Sequence, residues 1–220
     1  KIKNFFTENK KLLISIITVL VLLILSIYSY QIFKDRFKEK LSDKYNTAII
    51  EYNNGDKIKV ISSMTEVIED KDSTYSPLAL YFLIDNNLIK NQDEVNRLFD
   101  ILINKTSLEA EIKNLTIYKK ALYNADSVSE NELLDILKPL VNSDSVWKSH
   151  ALYLIAEYFY FKNEKQKAKE FFNQIVITEN ANQDIAKEAQ KRLNRDLRGD
   201  GRQAHAARSQ GLLRHHDVHE

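Results

Sequence analysis

One uncharged apolar stretch constrains this chain more than any other feature of its sequence. Residues 12–33 contain no charged side chain, and most of them are Leu, Ile or Val. As a helix that rises about 1.5 Å per residue, they extend roughly 33 Å, enough to cross a hydrocarbon core of about 30 Å. A helix also satisfies its own backbone hydrogen bonds, as lipid requires. The stretch therefore predicts a transmembrane anchor, preceded by a short N-terminus over residues 1–11.

A secretory signal peptide is the alternative interpretation of this stretch. Signal peptides have an apolar region of about 7 to 15 residues and end in a small-residue cleavage site. Here the apolar run is longer, and it leads into Tyr28 and Tyr30, which suit the aromatic belt at a membrane interface. We therefore expect an uncleaved anchor. Lysines and arginines flank it on both sides, so charge bias alone does not predict its orientation.

Composition limits the functions and the fold class that the rest of the chain can have. The net charge of +1 shows no excess of basic residues of the kind that nucleic-acid binding requires. The absence of cysteine excludes disulfides, thiolate metal sites and a cysteine nucleophile. Only two prolines and four glycines occur in the chain. Because both residues break regular structure, their scarcity favours an all-helical domain over residues 34–197.

Residues 34–197 carry apolar side chains at spacings of three and four, interrupted by short polar turns. Four helical pairs are predicted, and their first helices begin near Phe37, Ser76, Leu108 and Trp147. The interval of roughly 32 to 39 residues brackets the 34-residue period of tetratricopeptide repeats. The predicted fold is therefore all-α, with one transmembrane helix followed by a tetratricopeptide-like solenoid of helical hairpins.

Local signals mark where these helices begin and end. Gly55 is expected to end the first helix in a left-handed cap. Ser76 before Pro77 predicts an N-cap followed by proline at the first helical position. Ser129 begins a capping-box pattern, and Pro139 is expected to kink or end the helix that follows.

The fourth pair follows the tetratricopeptide pattern most closely. Its apolar positions are Leu152, Ile155, Ala156 and Phe159, then Ala168, Phe172 and Ile175. Small alanines let two helices cross closely, and the phenylalanines fill the space between pairs. A closing helix over residues 184–197 is predicted to cover the end of the stack. A bundle without a repeat is the alternative, since only the fourth pair matches the pattern closely. In the third pair, Tyr118 occupies a position where the pattern has a small residue.

Two segments and one tryptophan resemble the bacterial ancillary subunit of the Sec translocon. They are Asn-Phe-Phe-Thr-Glu-Asn-Lys-Lys at residues 4–11, Thr-Tyr-Ser-Pro-Leu-Ala at residues 74–79, and Trp147 at the start of the fourth pair. The resemblance covers residues 4–197. It implies a single-pass protein of the bacterial inner membrane, with a cytoplasmic N-terminus and a periplasmic helical domain. The implied partners are Sec translocon subunits, a periplasmic membrane chaperone of the prolyl-isomerase type, and exported client proteins.

A partner-binding groove is predicted on the first helices of the pairs, which line the concave face of tetratricopeptide stacks. The predicted groove residues are His150, Tyr153, Glu157 and Tyr160 in the fourth pair, and Tyr81, Asp85 and Leu88 in the second. Tyrosine combines an apolar ring with a polar tip, which suits the recognition of varied segments. The alternative is that these tyrosines pack against a loop or an adjacent helix.

The sequence favours a binding protein over an enzyme. It has no glycine-rich phosphate loop and no strand-turn-helix nucleophile motif, so no cofactor is expected. Residues 198–220 hold three of the four glycines and four of the five histidines, which predicts a disordered or aberrant tail. His215, His216 and His219 are expected to bind metal at most weakly, so no metal site is assigned.

Two rival functions remain open from the sequence. The first is an anchored helical-repeat adaptor for envelope assembly that is unrelated to export. The second is a metal-dependent enzyme whose active residues would have to lie in the tail.

Overall fold

The computed structural model describes residues 10–195, which form nine helices and no strand. Their bounds are α1 Lys10–Asn53, α2 Lys57–Glu69, α3 Tyr75–Asp85, α4 Gln92–Lys105, α5 Ala110–Asn124, α6 Glu130–Val141, α7 Lys148–Phe161, α8 Lys165–Ile177 and α9 Gln183–Arg195. The predicted all-α fold, with one long apolar helix followed by tetratricopeptide-like hairpins, is confirmed. The predicted tail at 198–220 and most of the flank at 1–11 lie outside the described residues.

Helix α1 is continuous for 44 residues. It contains no proline or glycine, the residues at which helices most often kink. The side chains from Ile14 to Phe33 are all exposed. Among the described residues, α1 is the one helix long and apolar enough to cross a membrane. The helix runs past residue 33 without a break and ends at Asn53.

The chain divides into two compact units, and residues 10–98 belong to the first. Here α1, α2 and α3 pack against one another around a core that contains Leu41, Ala48, Met64 and Leu80. Gly55 has a φ of +90° in the turn between α1 and α2, so the predicted left-handed cap is confirmed. The Asp56 carboxylate, which follows it, accepts a hydrogen bond from the backbone nitrogen of Lys59 at 3.2 Å.

The predicted N-cap at Ser76 is wrong. Helix α3 begins at Tyr75, two residues before the predicted first helical position at Pro77. The Asp72 carboxylate accepts hydrogen bonds from the backbone nitrogens of Thr74 and Tyr75, each at 2.8 Å. Ser76 is buried instead, and its hydroxyl donates to the Val67 carbonyl at 2.7 Å. This side chain therefore ties α3 to α2 rather than capping a helix.

Residues 99–195 belong to the second unit, where successive helices from α5 to α9 pack against each other. Helix α7 also contacts α5 and α9, the helices two places away in the chain. All seven apolar positions predicted for the fourth pair are at most 1% exposed. The predicted capping box is also confirmed: Ser129 Oγ accepts from the Glu132 nitrogen, and the Glu132 carboxylate accepts from the Ser129 nitrogen at 2.9 Å. The predicted closing helix is α9, whose Ala189 is fully buried.

Replacement of Phe159 by alanine is expected to lower the free energy of unfolding of the second unit by about 3 to 5 kcal/mol, because it leaves a cavity in the core. Phe159 is 1% exposed, and its ring stacks on Phe171 at 5.6 Å between centroids. Urea unfolding of the full chain in detergent, followed by the fluorescence of Trp147, the only tryptophan, measures the change. Phe161→Ala is the matched control, since Phe161 is 88% exposed on the same helix. An equal effect of both substitutions would contradict the placement of these rings.

Candidate protein-binding site

Three of the four predicted groove residues on α7 meet one arginine of α9. Arg192 donates a hydrogen bond to Glu157 Oε2, and its guanidinium carbon lies 4.8 Å from the centroid of the Tyr160 ring. It also hydrogen bonds with Tyr153, whose ring packs edge-on against Phe172 at 5.6 Å. Burial raises the pKa of Tyr153. The structure thus brings Tyr153, Glu157 and Tyr160 together beneath the closing helix, and their role in partner binding stays a prediction.

His150 belongs to a different cluster. Its ring lies 4.9 Å from the ring of Trp147 and 5.8 Å from that of Tyr118 on α5, and the Trp147 and Tyr118 rings stack at 5.6 Å. Tyr118 therefore replaces the small residue of the repeat pattern with an aromatic contact between α5 and α7. Burial lowers the pKa of His150, an effect that the nearby backbone of Val146 partly offsets because its carbonyl favours the protonated ring.

The predicted groove residues of the second pair lie in the first unit. Tyr81 is half-buried on α3 and Asp85 is exposed at its last position. Leu88 does not continue this helix, because Asn87 has a φ of +51° and the chain turns there. The Leu88 nitrogen donates instead to the Leu83 carbonyl at 2.9 Å. Tyr81 and Asp85 therefore share a helix, and Leu88 lies in the loop that follows it.

The second unit has an open apolar groove that the sequence prediction missed. It has a volume of about 590 Å³ and lies between the segment after α5 and one side of α7. Its lining residues are Ala125, Asp126, Leu154, Glu157, Tyr158, Phe161 and Lys162. Of these, only Glu157 was predicted. We call this surface the α5–α7 groove.

The signal for the groove was present in the spacing of α7. Leu154, Tyr158 and Phe161 recur at intervals of four and three, which places them on one side of a helix. They form a second apolar stripe beside the core stripe of Leu152, Ile155 and Phe159. A helix that is apolar nearly all round has more than one side to cover. Sequence reasoning assigned the outward side to the tyrosines that face α9.

Charged and polar atoms lie at the edge of the α5–α7 groove. Asp126 and Lys162 are both exposed, and neither has an ion-pair partner among residues 10–195. The Lys162 Nζ lies 5.5 Å from the centroid of the Tyr158 ring. Glu157 Oε1 is buried and accepts no hydrogen bond from the described residues, although Oε2 is bound by Arg192. The groove therefore combines an apolar floor with unpaired charges of both signs.

Within the described residues, no group of three or more His, Asp or Glu side chains could hold a metal ion. A smaller polar hollow of about 240 Å³ is lined by side chains that include Asp144, Lys148 and Glu179. The histidines considered for weak metal binding, His215, His216 and His219, lie outside the described residues.

Comparison with protein-family models, with curated proteins and with solved structures found no match to this chain.

The stability of the second unit is expected to fall as the pH drops through about 6.5, the ordinary pKa of histidine. The folded state holds the pKa of His150 below this value, so the unfolded chain binds the proton more readily and acid favours unfolding. Urea unfolding followed by Trp147 fluorescence at pH 8 and at pH 5.5, in the full chain and in His150→Gln, measures the effect. The His150→Gln substitution should reduce the difference in the free energy of unfolding between the two pH values. An unchanged pH profile in His150→Gln would contradict the expectation.

Arg192→Met is expected to destabilise the second unit by about 1 to 3 kcal/mol, because it leaves the half-buried Glu157 carboxylate without its partner. Glu157→Gln in the same background should restore part of the loss. A double-mutant cycle on the free energy of unfolding measures the coupling between the two side chains. Strictly additive effects would show that Arg192 does not hold α9 through Glu157.

Proposed function

We propose that this protein is a single-span membrane scaffold whose helical-hairpin domain binds other proteins close to the bilayer. The observation that carries the proposal is the continuity of α1. Its exposed apolar segment suits lipid, and its later residues Leu41 and Ala48 are buried in the first unit. One rigid helix therefore belongs both to a candidate membrane span and to a folded domain.

The geometry of α1 limits how far the first unit can be from the membrane. At about 1.5 Å per residue, Leu41 lies roughly 12 Å and Ala48 roughly 22 Å along the helix from Phe33. The absence of proline and glycine in α1 means that no flexible joint separates span and domain. An anchored domain meets partners in the same membrane at a raised effective concentration, so modest affinity is sufficient. The mechanism is non-covalent.

We further propose that the partners are Sec translocon subunits, a periplasmic prolyl-isomerase-type membrane chaperone and exported client proteins. The support for this step is the resemblance of residues 4–11, residues 74–79 and Trp147 to the translocon's ancillary subunit. The N-terminus would then be cytoplasmic and the helical domain periplasmic, in the bacterial inner membrane.

The orientation can be tested with one cysteine, because the natural chain has none. Ile58 is 85% exposed at the start of α2, so Ile58→Cys should react with a membrane-impermeant maleimide once the outer membrane is permeabilised. Labelling that requires lysis of the inner membrane would place the domain in the cytoplasm and exclude the export function. Met64→Cys on the same helix is the control for unfolding, since Met64 is buried and a thiol there should stay unlabelled.

The partners can be tested by photocrosslinking in intact membranes. A photoreactive amino acid at Ile24 in the apolar segment, or at Glu39 on the exposed stretch that follows it, should give adducts with translocon subunits or with the chaperone. Mass spectrometry identifies the adducts. Reproducible adducts that contain only envelope-assembly proteins would favour an adaptor unrelated to export.

A further inference from the structure

The α5–α7 groove carries an inference that does not depend on the identity of the export partners. We propose that this groove is the interface between two copies of the chain, related by a two-fold axis. Such an interface uses the same surface on both copies, so the surface must be complementary to itself. The α5–α7 groove has both halves of the required complementarity, in shape and in charge.

The shape complementarity consists of a hollow and a projecting ring. Leu154 and Tyr158 line the hollow and are half-buried, whereas Phe161 is 88% exposed at its edge. A volume of about 590 Å³ is ample for an aromatic side chain. Around a two-fold axis, Phe161 of each copy enters the hollow of the other. The most exposed aromatic ring of α7 thereby leaves water.

The charge complementarity consists of one unpaired carboxylate and one unpaired ammonium group. Asp126 borders the groove after α5 and Lys162 borders it after α7, and each lacks an ion-pair partner among residues 10–195. The two-fold axis places Lys162 of one copy beside Asp126 of the other, and this pairing occurs twice. A partner surface with charges of a single sign could pair with Asp126 or with Lys162, but not with both.

The membrane anchor makes a small interface sufficient. Stable interfaces between soluble proteins bury about 1,200 to 2,000 Å² in total, and a groove of this size is only the centre of such a surface. Two copies held in one bilayer by α1 meet at a much higher effective concentration than two free domains. Self-association is therefore expected in membranes and should weaken in dilute detergent.

Crosslinking of the full chain in proteoliposomes tests the interface. The chain has no native cysteine, so Ala125→Cys places a single thiol in the groove without removing Phe161. A short bis-maleimide should convert this variant to a dimer, and Phe161→Ser in the same background should reduce the yield. Ile177→Cys is the control, because Ile177 is 79% exposed at the end of α8 and does not line the groove. Equal yields from both positions, or no dimer from the Ala125→Cys variant, would overturn the proposal.

Charge reversal distinguishes the two-fold pairing from other contacts. In the Ala125→Cys background, Asp126→Lys or Lys162→Asp should each lower the dimer yield roughly tenfold, because like charges then face each other. The double reversal should restore it. Both positions are exposed, so the variants should fold, and circular dichroism checks this. Single reversals without effect, or a double reversal that does not recover, would reject the pairing.

The Ala125→Cys variant in native membranes identifies any other occupant. A dimer of this chain is expected as the main product. If the introduced thiol instead crosslinks to a different protein and gives no dimer, the groove binds a partner or client and the two-fold interface is excluded. The proposed scaffold function would survive that result, because its own test uses adducts from Ile24 and Glu39.

Discussion

The structure depends on the requirement that backbone hydrogen bonds be satisfied wherever water is absent. In lipid a single helix meets that requirement alone, and α1 is a continuous helix without a proline or glycine along its length. The same helix then buries Leu41 and Ala48 in the first unit. The candidate span and the first unit therefore share one rigid element, and the position of the first hairpin follows from the geometry of a helix.

Packing in the second unit follows from differences in side-chain size. Ala156, Ala168 and Ala189 are fully buried, and small side chains let helix axes approach closely. Phe159 and Phe172 fill the remaining space and are also buried. In the fourth pair, the small residues of the repeat pattern therefore lie where helices cross, and its aromatic residues fill the space between helices.

Two surfaces of α7 differ in how far the described residues cover them. Tyr153, Glu157 and Tyr160 lie against Arg192 of α9, which satisfies one carboxylate oxygen and covers a ring. Leu154 and Phe161 lie on the side that, in the part of the chain described by the structure, is bordered by the short segment after α5. An apolar stripe that residues 10–195 leave open is the feature expected of a contact surface.

Helical periodicity and turn chemistry were enough to predict the long apolar helix, the order of the hairpins, the left-handed Gly55 and the capping box at Ser129, because these are local properties of the chain. Local signals failed at Ser76, because the helix begins before it, where the Asp72 carboxylate accepts a hydrogen bond from the Tyr75 nitrogen. The serine hydroxyl instead donates to the Val67 carbonyl of α2. Local signals also failed for α7, which is apolar nearly all round, so that periodicity could not indicate which stripe α9 covers and which stays open. Only tertiary packing decides that, since it depends on where Arg192 and the segment after α5 lie in space.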